Sequence, residues 1–550
     1  MVLIVALGVA LRVTDYLRQT SLNIDESRIA LNLGMRSFGG LLPPLDQAQS
    51  APLLFLWTEK LMVGLAGWSE LTLRAVPLLA GIATVVLMVP VARRLTTSPT
   101  DLLAVALTAV APGLVHFSAV LKQYSLEAML SVLLLWRLLV WRDSPTSGRA
   151  WAILVATGTV VLWGSAPAVF VIVGVWLALL LAAVRGEAPW SKVWAAGAVW
   201  GASFALAYTM DYRSAARDPY LQHFWAPAFV RLSDLASLRN AAVTARSLVW
   251  GGPMETLPFI PRVPAVLVAF HVTTVLLITA VIWGGRGLAR RSEAGVAVVA
   301  GLLATAVATL AGLYPLVQRT SLFAIPFLQL CIAVGLAAAV RRLSPGYRAA
   351  GWAATFLVVL VPSLWVSALT AINFNPPYDV APLVRLLQAR RARGEPIYIG
   401  AGAIPAWGYY TTNWSRPDTA RIRYFDRMAA PGGPAFENAP KRGAPIDPEA
   451  GADLVYPTSA GEEVLGLPSG IESTALTGPV GSAVPDSGWA SHEAARIRSR
   501  AHPAIWVLMA HHRPVEMILF DEIENLGGRR TLFRDRNSAT LARYEFDRQE

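Results

Sequence analysis

Charged residues and cysteine are both scarce in this chain of 550 residues. Only 15% of the residues are charged and 55% are hydrophobic, and the mean hydropathy of +0.48 excludes an ordinary soluble protein. The single cysteine, Cys331, excludes an intramolecular disulfide and does not indicate a redox compartment. The sequence also has no metal-ligand spacing, no phosphate-binding glycine loop and no internal repeat. Composition therefore predicts a protein that crosses the membrane many times.

The net charge of +11 would suggest a nucleic-acid partner if the basic residues formed one patch. Most arginines in the first two thirds of the chain instead lie in short loops between apolar runs, where positive charge sets membrane topology. We therefore expect the lipid bilayer as a partner and no nucleic acid.

Apolar segments of membrane-spanning length recur as far as residue 372. A span needs roughly 20 apolar residues. Eleven candidates lie near 1–13, 72–92, 101–119, 124–141, 150–164, 167–184, 193–210, 263–283, 294–313, 321–340 and 350–371. Another apolar run follows Pro52, but Glu59 and Lys60 interrupt it, so it is predicted to be an interfacial helix. The first candidate is short for a span, which indicates that residues precede Met1 rather than that a signal peptide is cleaved.

Five groups of basic residues predict which side of the membrane each loop occupies. With a cytoplasmic N-terminus, all five fall on the cytoplasmic side, as the positive-inside rule requires. They are Arg93 and Arg94, Arg137 with Arg142 and Arg149, Arg185 with Lys192, Arg286 with Arg290 and Arg291, and Arg341 with Arg342. An odd number of crossings then places the C-terminal region outside.

The sequence predicts two domains. Residues 1–372 form a transmembrane domain whose external first loop covers about 14–71, with a helical stretch over 26–38. A second external loop covers about 211–262. Residues 373–550 form an external soluble α/β domain. Within it we predict a strand over 396–400, a short helix over 403–410, a Pro/Gly-rich stretch over 430–488 and a strand over 505–509.

Two adjacent carboxylates, Asp25 and Glu26, follow the first apolar segment directly. A carboxylate held at a membrane face can accept a proton from a hydroxyl group, which provides a route to chemistry on a lipid-borne substrate. The alternative is structural: acidic residues are favourable in the first turn of a helix, and these two could cap the helix that follows.

Basic residues reach the same face on the predicted topology. Lys122 lies in the tight connection between the third and fourth spans, and Arg319 ends the outer loop before the tenth. The positive-inside rule would leave this face neutral, so an anionic lipid phosphate is a reason for the charges. Lys122 and Arg319 could instead extend to lipid headgroups without binding a substrate. Arg74 is interpreted as structural, and Trp225 as either an interfacial anchor or part of a ligand surface.

Several short motifs occur in order at residues 21–26, 49–52, 69–77, 121–125, 314–319 and 322–326. Together they resemble family 39 glycosyltransferases, and the similarity covers roughly residues 15–345. These are membrane-embedded GT-C enzymes related to protein O-mannosyltransferases and to the lipid A aminoarabinose transferase. Many relatives carry an acidic residue shortly before the Lys-Gln-Tyr element, where this chain has Ala119 and Val120.

The resemblance implies a hexosyl- or pentosyltransferase that takes a sugar from a polyprenyl-phosphate donor at the external membrane face. The acceptor would be a hydroxyl group on a lipid, glycan or protein. Asp25 would be the general base, with Glu26 shaping the site and with Lys122 and Arg319 holding the phosphate. The expected substrate-binding residues are Glu26, Lys122, Gln123, Tyr124 and Arg319. Relatives differ in metal dependence, so we expect no obligatory cofactor and leave a divalent cation open.

The expected location is the cell membrane, and specifically the inner membrane of a bacterium. A transporter or lipid flippase without transferase activity is the main alternative, but such proteins usually show paired halves with broken helices near the midplane. Here the polar residues gather at one face. A third alternative is an inactive scaffold that presents residues 373–550.

Overall fold

A computed structural model describes most of the chain. It covers residues 1–18, 20–47, 49–252, 264–372, 379–392, 395–417, 455–457, 463–466, 487–501, 503–510 and 517–547. The chain divides into two compact units. The first comprises Met1–Arg18, Ala51–Arg217 and Trp225–Asn373, and the second comprises Gln19–Ser50, Asp218–Phe224 and Phe374–Glu550.

Helices make up most of the first unit, and the second unit combines helices with strands. In chain order within the described residues they are α1 (Val2–Leu17), α2 (Ile24–Met35), α3 (Leu53–Ala66), α4 (Glu70–Leu95), α5 (Thr100–Ala109), α6 (Pro112–His116), α7 (Tyr124–Asp143), α8 (Gly148–Gly164), α9 (Ala168–Val184), α10 (Trp190–Ala207), α11 (Arg213–Arg217), α12 (Pro219–Trp225), α13 (Leu235–Val249), α14 (Pro264–Ala289), α15 (Glu293–Leu310), α16 (Ile325–Arg341), α17 (Arg348–Thr355), α18 (Val361–Ile372), α19 (Ala381–Arg390), α20 (Ile404–Tyr410), α21 (Ser487–Arg500) and α22 (Ile518–Asn525). Two π-helical turns, Tyr208–Tyr212 and Phe356–Leu360, continue α10 into α11 and α17 into α18.

All eleven predicted spans are helical. Seven segments in the described chain are long and apolar enough to cross a membrane, namely Glu70–Leu95, Tyr124–Asp143, Trp190–Arg217, Leu267–Ala289, Glu293–Leu310, Leu322–Arg341 and Pro345–Ile372. The bent pair Thr100–Ala109 and Pro112–Ala119, with 51° between its halves, makes eight if it is one span. The other three are α1, with 16 residues, and α8 and α9, with 17 each. A 17-residue helix rises only about 26 Å, so length sets α8 and α9 apart, while α1 is short and also contains Arg12 and Asp15.

Ion pairs join several loops at one end of the first unit. Arg94, in the last turn of α4, contacts Asp143 at the end of α7, with 2.8 Å between Nε and Oδ2. Arg142 contacts Glu293 at the start of α15, with 3.1 Å between Nη2 and Oε2, and Arg185 after α9 contacts the same carboxylate. Partly exposed ion pairs add little stability. Their value here is geometric, because they place four of the five predicted cytoplasmic loops at one end of the helical unit.

A fully buried arginine holds the break between α5 and α6. Arg12, in α1, donates from Nη1 to the carbonyl of Ala109 at 2.8 Å and from Nη2 to that of Thr108 at 3.4 Å. Nη1 also donates to the carbonyl of Gly8 at 2.8 Å. The last carbonyls of a helix have no partner within it, and the bilayer core supplies none. Arg12 therefore satisfies the helix end at which the chain bends.

A six-stranded sheet forms the core of the second unit. Its described strands are β1 (Ile397–Ile399), β2 (Val455–Pro457), β3 (Glu463–Gly466), β4 (Ala504–Ala510), β5 (Arg529–Asp535) and β6 (Ala539–Glu545), in the spatial order β2-β3-β1-β4-β6-β5. Strand β1 runs parallel to both β3 and β4, and the remaining pairs are antiparallel.

Helices cover both faces of this sheet. Side chains alternate along a strand, so Ile397 and Ile399 pack with α19 and α20, while Tyr398 packs with α21 and α22. The predicted strands 396–400 and 505–509 are β1 and β4, and the predicted helix 403–410 is α20. The architecture, a polytopic helical membrane protein with a C-terminal α/β region, is confirmed. Most of the predicted Pro/Gly-rich stretch lies outside the described residues.

Glu395 links two strands of the sheet from the residues just before β1. Its carboxylate accepts 2.6 Å hydrogen bonds from Nε1 of Trp506 in β4 and from Nη2 of Arg543 in β6. Burial alone would raise the pKa of Glu395, but these two hydrogen bonds and a third from the Ala392 amide lower it below its usual range. The residue is therefore a charged cross-link within the sheet.

We predict that replacing Arg12 with alanine lowers the thermal unfolding midpoint of the purified protein, because the carbonyls of Thr108 and Ala109 lose their donor. Hydrogen bonds to charged groups contribute about 1.5–3 kcal/mol each. The matched control is Arg93→Ala, at an exposed position in the last turn of α4. Equal midpoints for the two variants would show that Arg12 does not stabilise the helix break.

Candidate functional site

The predicted carboxylates lie in the first turn of α2, and a reciprocal cap fixes that turn. The side-chain oxygen of Asn23 accepts from the Glu26 amide at 2.9 Å, and Oε2 of Glu26 accepts from the Asn23 amide at 2.9 Å. Asn, Asp and Ser at the residue before a helix stabilise it in this way, most strongly with Glu three residues later. The two acidic residues therefore differ in role, since the cap uses Glu26 and not Asp25.

The exposure of the two residues follows the same division. Glu26 is buried, with 1% of its surface exposed, whereas Asp25 is half-buried. The capping hypothesis is thus correct for Glu26. The side chains of Asn23 and Glu26 form the cap, and the side chain of Asp25 is not part of it. A carboxylate in the first turn is also favoured by the positive end of the helix dipole, which stabilises the charged form that a general base needs.

The Lys-Gln-Tyr element forms a tight turn ahead of α7. Lys122 is buried, and its amide donates to the carbonyl of Val120 at 2.7 Å. Gln123 is the residue before the helix, and its side-chain oxygen is buried with no hydrogen-bond partner among the residues that the structure describes. Tyr124 begins the helix, with its ring edge-on to Phe117 at 5.1 Å between centroids. The turn thus presents one cation and one unused acceptor.

Arg319 lies in a loop whose shape is fixed by its neighbours. The Tyr314 hydroxyl donates to the carbonyl of Thr320 at 2.7 Å, and the Thr320 hydroxyl donates to the carbonyl of Pro315 at 3.0 Å. Burial raises the pKa of Tyr314 well above its usual range, so the phenol stays neutral and keeps its role as donor. The Arg319 guanidinium stacks over the Trp225 ring at 4.9 Å from its centroid. Trp225 therefore orients a cation by a cation–π contact.

The structure brings the turn and the loop together within the first unit. Tyr124 shares one hydrophobic cluster with Leu322 and Ile325, and Leu316 packs against that cluster. Lys122, Gln123, Tyr124 and Arg319 consequently flank the same packed group of side chains. Asp25 and Glu26 belong to the second unit, as part of Gln19–Ser50.

Some polar residues of the first unit were not identified from the sequence. Oδ2 of Asp211 accepts from the Leu53 amide at 2.8 Å and so caps α3. The Tyr212 hydroxyl donates to the carbonyl of Leu162 at 2.6 Å, and Glu127 is buried one turn into α7. Ionisable residues at bilayer depth are costly and are retained for a reason. That signal was present in the sequence for Asp211 and Glu127.

Metal ligation has no candidate in the described part of the chain. No group of three or more His, Cys, Asp or Glu side chains lies close enough together to hold an ion. Asp25 and Glu26 are adjacent, but the amide of Asn23 already occupies Oε2 of Glu26.

Comparison with known proteins gives a likeness in fold only. No family model and no curated protein matches the chain. The oligosaccharyltransferase of Archaeoglobus fulgidus, in complex with Zn and sulfate, has a TM-score of 0.50 and 12% identity, covering 99% of this chain and 88% of that chain.

Two further solved structures match less well. ArnT from Cupriavidus metallidurans, bound to undecaprenyl phosphate, has a TM-score of 0.48 and 12% identity over 98% of this chain and 97% of that chain. The arabinofuranosyltransferase AftD from Mycobacteria has a TM-score of 0.41 and 17% identity over 99% of this chain and 41% of that chain. The archaeal likeness extends over nearly the whole chain, so this chain is a polytopic helical membrane protein with the fold of that oligosaccharyltransferase.

Proposed function

We propose that this protein is a membrane glycosyltransferase of the family 39 type. It takes a sugar from a polyprenyl-phosphate donor and transfers it to a hydroxyl acceptor at the external face of a bacterial inner membrane. The acceptor oxygen attacks the anomeric carbon, the bond from that carbon to the phosphate oxygen breaks, and the lipid phosphate leaves with the electron pair. Asp25 takes the hydroxyl proton as general base. We propose no obligatory metal for this reaction.

The observation that carries the proposal is that only one of the two acidic residues in the first turn of α2, Glu26, takes part in the helix cap. An acid beside a helix cap is usually explained by the cap itself. Here Asn23 and Glu26 complete the cap with two 2.9 Å hydrogen bonds. Asp25 is therefore not needed to close the helix end, and its half-buried carboxylate is placed beside a rigid turn.

Charges in the first unit support the donor side of the proposal. Lys122 provides a compact ammonium and Arg319 a planar guanidinium, and both suit phosphate oxygens, on which negative charge grows as the sugar departs. The unpartnered side-chain oxygen of Gln123 can only accept a hydrogen bond. It therefore suits a sugar hydroxyl better than a phosphate oxygen, while Tyr124 packs the turn in place.

The proposed orientation has a cytoplasmic N-terminus and an external C-terminal region. Four basic loops lie at one end of the helical unit through their ion pairs. The segment Gln19–Ser50 and the region Phe374–Glu550 belong to one compact unit, and a membrane does not divide a compact unit. The proposal therefore places both on the same side, with an even number of crossings between them. Ten of the predicted spans lie there.

A transporter or flippase is the alternative function, and one observation favours it. The 51° break between α5 and α6 is typical of the discontinuous helices at transporter binding sites. That function predicts movement of a lipid or solute with no transfer of sugar. Incubation of the purified protein with a labelled polyprenyl-phosphate sugar and a panel of acceptors distinguishes the two, because only a transferase yields labelled acceptor.

The orientation predicts where reporter proteins become active. A fusion after residue 94 should report the cytoplasm, because the five basic loops are proposed to face inward. A fusion after residue 380 should report the exterior, because ten proposed crossings separate Gln19–Ser50 from Phe374–Glu550. The reverse pattern at either position would contradict the proposed face of the reaction.

The donor-binding role predicts that Lys122→Ala and Arg319→Ala each weaken donor binding. Each loses a charge-assisted contact of about 1.5–3 kcal/mol, or roughly a 10- to 150-fold rise in the donor dissociation constant. Lys122→Arg should also impair binding, because a planar fork does not replace a compact ammonium. Matched controls are Lys192→Ala and Arg290→Ala in the proposed cytoplasmic loops. Wild-type donor affinity in both site variants would favour contact with headgroups alone.

The catalytic role predicts that Asp25→Asn loses turnover and keeps donor binding. Asparagine preserves size but its amide does not take up a proton, so the rate should fall by about 10²–10⁴-fold. The helix cap formed by Asn23 and Glu26 stays intact, so the thermal midpoint should hold. The control is Asp521→Asn, the same change in the first turn of α22. Normal turnover in a folded Asp25→Asn protein would remove this carboxylate from the mechanism.

A further inference from the structure

The two residues just before the α2 cap are both tied to the C-terminal α/β region. The Ser21 hydroxyl donates to Oδ1 of Asp379 at 2.6 Å and accepts from the Ala381 amide at 2.9 Å. The next residue, Leu22, donates its amide proton to the Tyr410 hydroxyl at 2.8 Å. Ser21 and Leu22 are buried, so these hydrogen bonds form away from bulk water. The side chain of Ser21 and the backbone amide of Leu22 are thus both hydrogen-bonded to the C-terminal region just before the helix begins.

Asp379 is itself held from the far edge of the sheet. Its second oxygen, Oδ2, accepts from Nη1 of Arg536 at 3.1 Å, and Arg536 lies in the turn between β5 and β6. The carboxylate therefore bridges Ser21 and the sheet with one oxygen for each. Only 17% of the Asp379 side chain is exposed, so solvent screens this bridge less than an ordinary surface pair.

The other end of α2 is fixed by close packing. A Cβ atom added at Gly34 would lie 2.1 Å from Cζ3 of Trp414, which is closer than any real contact. Glycine is required there because the indole ring rests directly on the helix backbone. The 12-residue helix packs along α20 between these two attachments. A helix this short is marginal by itself, so its position depends on these contacts.

We propose that the C-terminal α/β region positions the catalytic base, with Asp379 and Tyr410 as the positioning residues. This proposal rests on the proposed function of Asp25. The first turn of α2 is rigid because of its cap, so a shift at Ser21 or Leu22 is passed directly to Asp25. A general base must lie within about 2.6–3.2 Å of the proton it takes. A displacement of about 1 Å can lower a rate by about 100-fold.

The test removes the anchors one at a time and measures sugar transfer. Asp379→Asn, Ser21→Ala and Tyr410→Phe should each lower kcat by at least 10-fold while the KM for the polyprenyl-phosphate sugar stays within twofold. Ser21→Thr keeps the hydroxyl and should restore most of the rate. The double variant Ser21→Ala with Asp379→Asn should lose less than the product of the two single losses, because the hydrogen bond between Ser21 and Asp379 is removed by either change.

A matched control separates positioning from simple loss of domain stability. Glu395→Gln disturbs the cross-link between β4 and β6 in the same unit and leaves all the α2 anchors in place. It should keep the wild-type kcat. An equal loss of kcat in Glu395→Gln would overturn the positioning role, since any weakening of the region would then suffice.

The outcome for Asp25→Asn separates the two proposals. If Asp25→Asn is inactive while all three anchor variants turn over normally, the positioning role is wrong and the proposed function stands. If Asp25→Asn is fully active, the proposed function fails and the positioning role with it. Hydrogen exchange gives a readout independent of transfer: amides of the first turn of α2 should exchange faster in Asp379→Asn than in Glu395→Gln, and equal exchange would overturn the anchor.

Discussion

The bilayer cannot hydrogen-bond to the polypeptide backbone, and this constraint shapes most of the first unit. Helices satisfy their own amides and carbonyls, so the apolar chain forms helix after helix. Wherever a helix stops inside the unit, another group must replace the missing partner. Arg12 does so at the end of α5, and Asp211 does so at the start of α3. Arg12 and Asp211 are therefore explained first by hydrogen bonds to the backbone.

The helix cap gives the two neighbouring carboxylates, Asp25 and Glu26, different environments. Asn23 draws Glu26 into the cap, and burial of Glu26 follows from that hydrogen bond. Asp25 precedes Glu26 in the same first turn, where the helix dipole favours a negatively charged side chain. A first turn that needed both acids would leave neither for chemistry. The cap by Asn23 and Glu26 is what makes a base at Asp25 physically reasonable.

Sequence periodicity and composition predicted the elements well, because each apolar span and each buried strand carries its signal locally. The eleven helical positions, β1, β4 and α20 belong to this class. The β5–β6 hairpin was missed because β5 is arginine-rich and largely exposed, so it has no alternating apolar pattern. Of the site, the residue types and their turns could be predicted, including the alternative of a cap. The bond from Ser21 to Asp379 could not, because contacts between residues 358 apart leave no trace in either local sequence.

That long separation has a consequence for how the protein is made. During synthesis the segment that carries α2 emerges long before its partners in the C-terminal region. At about 5–20 residues per second, Ser21 waits roughly 20–70 s until Asp379 exists. Throughout that time a marginal 12-residue helix lacks the surface on which it packs. A chain truncated before residue 379 would therefore keep the cap of α2 and lack the contacts that attach this helix to the C-terminal region.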